Sequence, residues 1–393
     1  MRIYQTWFST FLLPHAVYHH LFCRANEESV NWEIDHLNIK ADTDGIVKFA
    51  VLGDFGHNEV SSYAATMAAE LNRLCKAGEI TFIVSTGDNF YGEVKFDDYW
   101  IKRFEISKNS CKWVVIPGNS DYKVLQKFRQ SPLEKIEAER KGPSKFARKW
   151  IMPSSNFLGK IEYAEDSVYE FVFLDTVEVD GQEDGEIEEM GRKRIELLEN
   201  LNSKKKYIVF GHYPLMSDVQ GDLEEKVDFL RTYFDKNSNM LVYCSGHVHA
   251  LELLIADKVI EGKKNAPRYA QVISGAAGAF LNVKGRDEDY QVTENGLKKA
   301  VPSNSAEKKA ETNGKKREAK SEEKTEKKRE KFQGSKQGSG LYAQSENGFV
   351  VFTLYTSQHV LDLTYYTFPK GKKTLQPFRF SLGGEERVKQ VNL

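Results

Sequence analysis

Seven side chains able to bind a metal ion sit at five short segments of this chain: Gly53-Asp54-Phe55-Gly56, Gly87-Asp88-Asn89-Phe90-Tyr91, Gly118-Asn119-Ser120-Asp121, Gly211-His212-Tyr213-Pro214 and Gly246-His247-Val248-His249. The candidates are Asp54, Asp88, Tyr91, Asn119, His212, His247 and His249. Oxygen and imidazole donors without a thiolate suit hard or borderline metals such as iron, manganese or zinc. Seven ligands exceed what one such ion takes. Two ions sharing a carboxylate would use them all, and paired ions suit in-line displacement at phosphorus. Taken singly, a Gly-Asp or Gly-His pair is turn chemistry, and Tyr91 could be a core tyrosine with a bonded hydroxyl. The joint arrangement favours the metal reading.

Such a set needs a scaffold that delivers every ligand to one place. The runs Ile46–Leu52, Thr81–Thr86, Trp113–Ile116, Tyr207–Phe210 and Met240–Ser245 are short, apolar and bounded by Gly (after Ile116, by Pro117-Gly118), which predicts buried strands. Amphipathic stretches such as Ser61–Lys76 and Glu186–Leu201 predict intervening helices. Alternating strands and helices imply α/β units. In open α/β sheets ligands collect outside the carboxyl ends of the strands, where all five segments fall. The alternating runs Phe349–Tyr355 and Val360–Tyr366 predict two half-buried antiparallel strands.

The five motifs, in this order, resemble the metallophosphoesterase superfamily and, within it, the purple acid phosphatases of the small tartrate-resistant type. Tyr91, three residues after Asp88, marks the purple group. The likeness extends to Lys149-Trp150-Ile151-Met152-Pro153, Phe173-Leu174-Asp175-Thr176-Val177 and Ser274-Gly275-Ala276-Ala277-Gly278. It covers roughly 46–290 and resumes near 348–380. The resemblance implies a four-layer α/β sandwich, two mixed β-sheets flanked by helices. It also implies an acid phosphatase acting on phosphate monoesters. Asp54, Asp88, Tyr91 and His249 would hold Fe(III). Asn119, His212 and His247 would hold Fe(II), Zn or Mn, and Asp88 would bridge. Phenolate favours ferric iron, neutral Asn suits a divalent ion, and an ion lowers the pKa of bound water to supply the attacking hydroxide. Asp121 and Asp175 would orient ligands, although Asp175 reads equally well as an ordinary strand-end carboxylate.

Two positions depart from that family. Its third motif has His where this chain has Ser120, and its second substrate-site His falls at Gly221. Those histidines bind phosphate and protonate the leaving group. Ser120 donates a hydrogen bond but is no acid near neutral pH, and general acid catalysis contributes ~10²–10⁴-fold. His57 is a candidate substitute, although a surface-loop histidine is the simpler reading. The alternative function is a catalytically weak or inactive phosphatase-fold scaffold, similar to the glideosome-associated proteins. Filled ligand positions favour the enzyme.

The remaining features set the context. The 393 residues carry a net charge of −1, which implies no general nucleic-acid affinity. Arg2, the apolar stretch Ile3 to Phe22 and Cys23-Arg24-Ala25 resemble a secretory signal over residues 1–25, implying a secreted or lumenal protein. No further membrane span is expected, and neither is an oligomer. The domain would run over 46–380, interrupted at about 292–344 by a Lys/Glu-rich insert. Residues 307–331 of that insert lack aromatic and branched aliphatic side chains, which predicts disorder. Its basic excess offers a contact for acidic partners. Four cysteines are too few for a disulfide scaffold, and Cys244 reads as a buried thiol.

Overall fold

A computed structural model describes residues 36–56, 62–123, 131–177, 193–220, 228–257, 267–278, 290–299 and 338–390, apart from 43, 110, 163–167, 294–295, 345, 369–371 and 382–387. The leader, His57, Gly221 and most of the insert, each the subject of a sequence expectation, therefore lie outside the described residues.

Two mixed sheets of eight strands stack face to face. In one, β2 (Ile46–Leu52), β3 (Phe82–Ser85), β4 (Lys112–Val115) and β5 (Trp150–Ile151) run parallel. Beyond β2 the sheet continues antiparallel through β15 (Gly348–Tyr355), β16 (Val360–Thr367), β17 (Thr374–Ser381) and β18 (Val388–Gln390). The other sheet has the order β1 (His36–Lys40), β6 (Phe157–Glu162), β7 (Tyr169–Phe173), β8 (Lys206–Phe210), β9 (Met240–Ser245), β11 (Pro267–Ser274), β10 (Leu251–Asp257), β14 (Gly338–Gln344). Here β7, β8, β9 and β11 are parallel. A separate hairpin pairs β12 (Tyr290–Thr293) with β13 (Gly296–Lys299).

Strand alternation explains the layers. Along β2, Val47, Phe49 and Val51 enter the core between the sheets, while Ala50 and Leu52 point the opposite way. Phe49 stacks on Phe82 and Phe352 of its own sheet, at 5.0 and 4.8 Å between centroids. It meets Phe171 and Phe210 of the facing sheet edge-on, at 5.3 and 6.0 Å. These tilted contacts lock one sheet onto the other. On the outer face, the helix Ser62–Ala77 presents Ala64, Met67, Ala68, Leu71 and Leu74 at helical spacing to the first sheet. It ends at Gly78, whose φ of +69° is the left-handed stop glycine allows. Against the other outer face lie Leu197 and Leu198, with Leu230 and Phe234 of the helix Asp228–Lys236. The four-layer α/β sandwich expected from the motifs is present.

Three differences from the sequence reading have physical causes. The insert boundary moves: residues expected to be loop out to Gln344 form β14 from Gly338, because they add to the free edge of β10. Five consecutive residues of β15 are buried where alternation predicted half-burial, since β15 lies between β2 and β16 inside the sheet. Cys75 and Cys111 form a disulfide, tying the last turn of the helix Ser62–Ala77 to the start of β4. Cys244 is a buried free thiol, as expected.

Candidate metal centre

The five ligand segments meet where both sheets end. Asp54 follows β2, Asp88 follows β3 and Asn119 follows β4; His212 follows β8, and His247 and His249 follow β9. The carboxyl ends of parallel strands point one way, and the two sheets bring their open ends to a common edge. The turns are tight. Gly87 has φ +97°, and a Cβ there would lie 2.6 Å from Gly118 N and 2.8 Å from His212 Nδ1. Asp54, Asp88 and His247 adopt φ of 61°, 56° and 66°, the left-handed region that non-glycine residues avoid. Such strain persists where the surroundings over-determine it, commonly at functional sites.

All seven side chains come together, in two contact groups. In one, Tyr91 Oη lies 3.1 Å from His249 Nε2 and 3.3 Å from Asp54 Oδ1, and His249 Nε2 lies 3.5 Å from Asp54 Oδ1. In the other, Asn119 Oδ1 lies 2.8 Å from His212 Nε2 and 3.0 Å from His247 Nδ1. Asp88 Oδ1 is 3.4 Å from His212 Nε2. Ligand atoms of Asp54, Asp88 and His212 lie within 4.8 Å of one another, and all three residues are buried.

The electrostatics fit a cation. Burial pushes the Asp54 carboxyl up, against the pull of His249 and His212. Burial also opposes ionisation of Asp88, but His212 and the Ser120 donors outweigh it and hold it below the usual range. Burial, then the Asp54 and Asp88 charges, holds the Tyr91 phenol far above its ordinary value. Burial, with His212 beside it, lowers His247 to about 3, so its imidazole is neutral. His212 Nδ1 faces the Thr86 carbonyl at 2.8 Å and donates to it. Its Nε2 faces Asn119 Oδ1 and Asp88 Oδ1. The buried Asp54 and Asp88 carboxylates beside the His212 and His247 imidazoles form a cradle whose donor types suit a metal ion.

The supporting residues differ in part from expectation. Ser120, standing where the resemblance implies an acid, is buried and donates twice to Asp88: its amide to Oδ1 and its hydroxyl to Oδ2, each at 2.7 Å. Asp121 does not reach a ligand side chain. Its carboxylate takes the amides of Gly118 (2.8 Å), Phe90 (2.8 Å) and Asn89 (3.1 Å), and so orders the turns that carry Asp88, Tyr91 and Asn119. Burial and the nearby Asp88 charge push Asp121 up to about 6. Asp175 accepts from Tyr122 Oη and from Val177 N (3.0 Å). Two supports were not singled out from sequence: the Thr86 carbonyl just described, and Thr176 Oγ1, which accepts the amides of His212 (2.9 Å) and Tyr213 (3.0 Å). Their one sequence signal is adjacency to the motifs Gly87-Asp88 and Phe173–Val177.

Two sheets with a donor cluster at their shared edge define a metallophosphoesterase architecture, and comparison with known proteins agrees. The family model "Calcineurin-like phosphoesterase" matches residues 47–251, and the chain belongs to that family. Among curated relatives, "Purple acid phosphatase 4" of Arabidopsis thaliana is 28% identical over 236 residues, 53% of this chain and 64% of that protein. "Purple acid phosphatase 3" of the same plant is 29% identical over 109 residues, 26% of this chain and 29% of that protein. The chain thus spans 64% or less of these relatives' length. Two solved structures share the fold. "GAP50 the anchor in the inner membrane complex of Plasmodium" superposes with a TM-score of 0.55 at 17% identity, over 88% of this chain and 90% of that one. The purple acid phosphatase PPD1 from yellow lupin seeds gives 0.50 at 14% identity, over 86% and 54%. No helix among the described residues is long and apolar enough to cross a membrane.

Proposed function

We propose that this chain is a binuclear metal-dependent phosphomonoesterase of the purple acid phosphatase type. The observation that carries the reading is the convergence of Asp54, Asp88 and His212 within 4.8 Å, inside a set whose contacts divide it in two. Tyr91, Asp54 and His249 would hold a ferric ion, Asn119, His212 and His247 a divalent iron, zinc or manganese ion, and Asp88 would serve both. When bound, the pair supplies Lewis acidity and a water of lowered pKa. The chain's own contribution is positioning. Thr86 fixes the His212 tautomer, Thr176 holds the His212 backbone, and Ser120 holds both oxygens of Asp88. The Cys75–Cys111 disulfide supports an oxidising compartment, in keeping with a secreted or lumenal protein.

Ser120 also supports a limit on the chemistry. Its hydroxyl proton is committed to Asp88, so it does not protonate a departing alkoxide. An aryl phenolate leaves without full protonation, whereas an alkoxide should lose most of the ~10²–10⁴-fold that a general acid contributes. The test is turnover of a nitrophenyl phosphate and of a simple alkyl phosphate by the metal-loaded protein. Measurable aryl and poor alkyl hydrolysis is expected. Efficient turnover of both would mean that another residue supplies the proton. A fully metallated protein that turns over neither would favour the second reading, a phosphatase-fold binding protein, which the same engagement of Ser120 supports.

A further inference from the structure

The helix Pro132–Lys141 packs beneath the two loops that carry Tyr91 and Asn119. Its sequence is polar, yet Lys135 and Glu139 are only 1% and 0% exposed. Lys135 Nζ donates to three main-chain carbonyls: Phe90 at 2.9 Å, Ser120 at 2.7 Å and Lys123 at 3.1 Å. An ammonium group has three protons and no acceptor capacity, so these bonds use all of it. Phe90 adjoins Tyr91 and Ser120 adjoins Asn119, so one side chain grips the loops of both contact groups. Glu139, one turn further along the same face, grips the first loop again, accepting from Asn89 Nδ2 at 2.7 Å.

A methionine or leucine could fill this volume without burying a charge, which is costly even when compensated. Packing therefore does not explain a lysine here. What an ammonium adds is a rigid, three-way link between segments 30 residues apart in sequence, Phe90 and Ser120. We propose that Lys135 is a positioning residue: it fixes the spacing of Tyr91 and Asn119, and with it the separation of the two halves of the metal centre. The inference rests on the metal reading above, so its test reads the loops with and without metal.

The variants are Lys135→Met, which keeps length and removes every donor, and Lys135→Gln, which keeps two. In the full chain, stripped with a chelator, amide hydrogen exchange is compared between segments 88–91 and 118–123 and the strands β2 and β9. Losing hydrogen bonds to a charged group should speed exchange about tenfold or more in both loops, less for Gln than for Met, with the strands unchanged. Titration with Mn(II) should show affinity lowered about tenfold or more in Lys135→Met, with the number of sites unchanged. Unchanged exchange in both variants would overturn the proposal. So would faster exchange everywhere, which marks a merely structural role, or loosened loops that bind Mn(II) as tightly as before. Loosened loops in a protein whose wild type binds no Mn(II) would leave the positioning role and remove the metal reading. If Lys135→Met does not fold, Lys135→Gln carries the same outcomes.

Discussion

The Asp54 carboxylate sets function against stability, and its replacement by Asn makes the conflict measurable. Asp54 is fully buried, and burial raises its pKa above the ordinary value of 3.8. A group whose folded pKa is raised contributes stability only below its unfolded pKa; that contribution is lost as pH rises through the folded pKa. At neutral pH the charged form is therefore a net cost to the metal-free fold. Asn removes that cost and fits the site. Its oxygen can accept the His247 amide, now 2.9 Å from Asp54 Oδ2, and its amide can donate toward Tyr91 Oη, now 3.3 Å from Oδ1. The effective penalty for an uncompensated buried ion is several kcal/mol. The bonds and imidazoles already around Asp54 offset part of it, leaving a gain of about 1–3 kcal/mol. At about 2–4 °C per kcal/mol, Asp54→Asn should melt roughly 2–12 °C higher than wild type in chelator at pH 7.5. The gap should narrow as pH falls and close below the unfolded pKa of 3.8, where Asp54 is protonated in both states. Excess divalent metal should reverse the order, because wild type alone gains the full linkage term. Thermal unfolding followed by circular dichroism at several pH values, with and without metal, reads all three. A chelated Asp54→Asn that melts below wild type at pH 7.5, or a gap independent of pH, would refute the reasoning.

Two further outcomes follow from the same structure. Protein expressed with ample iron should show a broad visible phenolate-to-iron band that Tyr91→Phe removes without unfolding; an iron-free, colourless wild type would contradict the Tyr91 assignment. Deleting 303–336, which stops short of β14, should leave the melting temperature and any hydrolysis nearly unchanged, because a charged, aromatic-poor composition supplies few side chains that a core can use; a large drop in melting temperature would contradict that expectation.

The sequence is most legible where local chemistry decides structure. Ile46–Leu52 and Met240–Ser245 are strands over the expected residues, because apolar runs stopped by glycine have little alternative. The helix expected at Ser61–Lys76 begins and ends one residue later. The residues proposed as ligands could be picked out for the same reason, since each lies within a few residues of a strand end. What escaped is non-local. Nothing in the sequence of Gly348–Tyr355 says that it lies beside β2, which brings Phe352 onto Phe49. Cys75 and Cys111 are 36 residues apart and meet only because the helix packs on the sheet. Lys135 and Glu139, four residues apart in a polar helix, carry no apolar signal of burial, yet both are buried under the site. The Asp121 carboxylate is where the sequence placed it, but it is spent on the amides of Gly118, Asn89 and Phe90.

The central claim is that two ions share Asp88. The most direct measurement is elemental analysis of full-length wild type and Asp88→Ala after expression with iron and zinc. About two ions per wild-type chain and almost none in Asp88→Ala are expected, because three ligands on each side become four for both ions only if Asp88 is common to them. A wild type holding at most one ion, or an Asp88→Ala variant that keeps one fully bound, would contradict it.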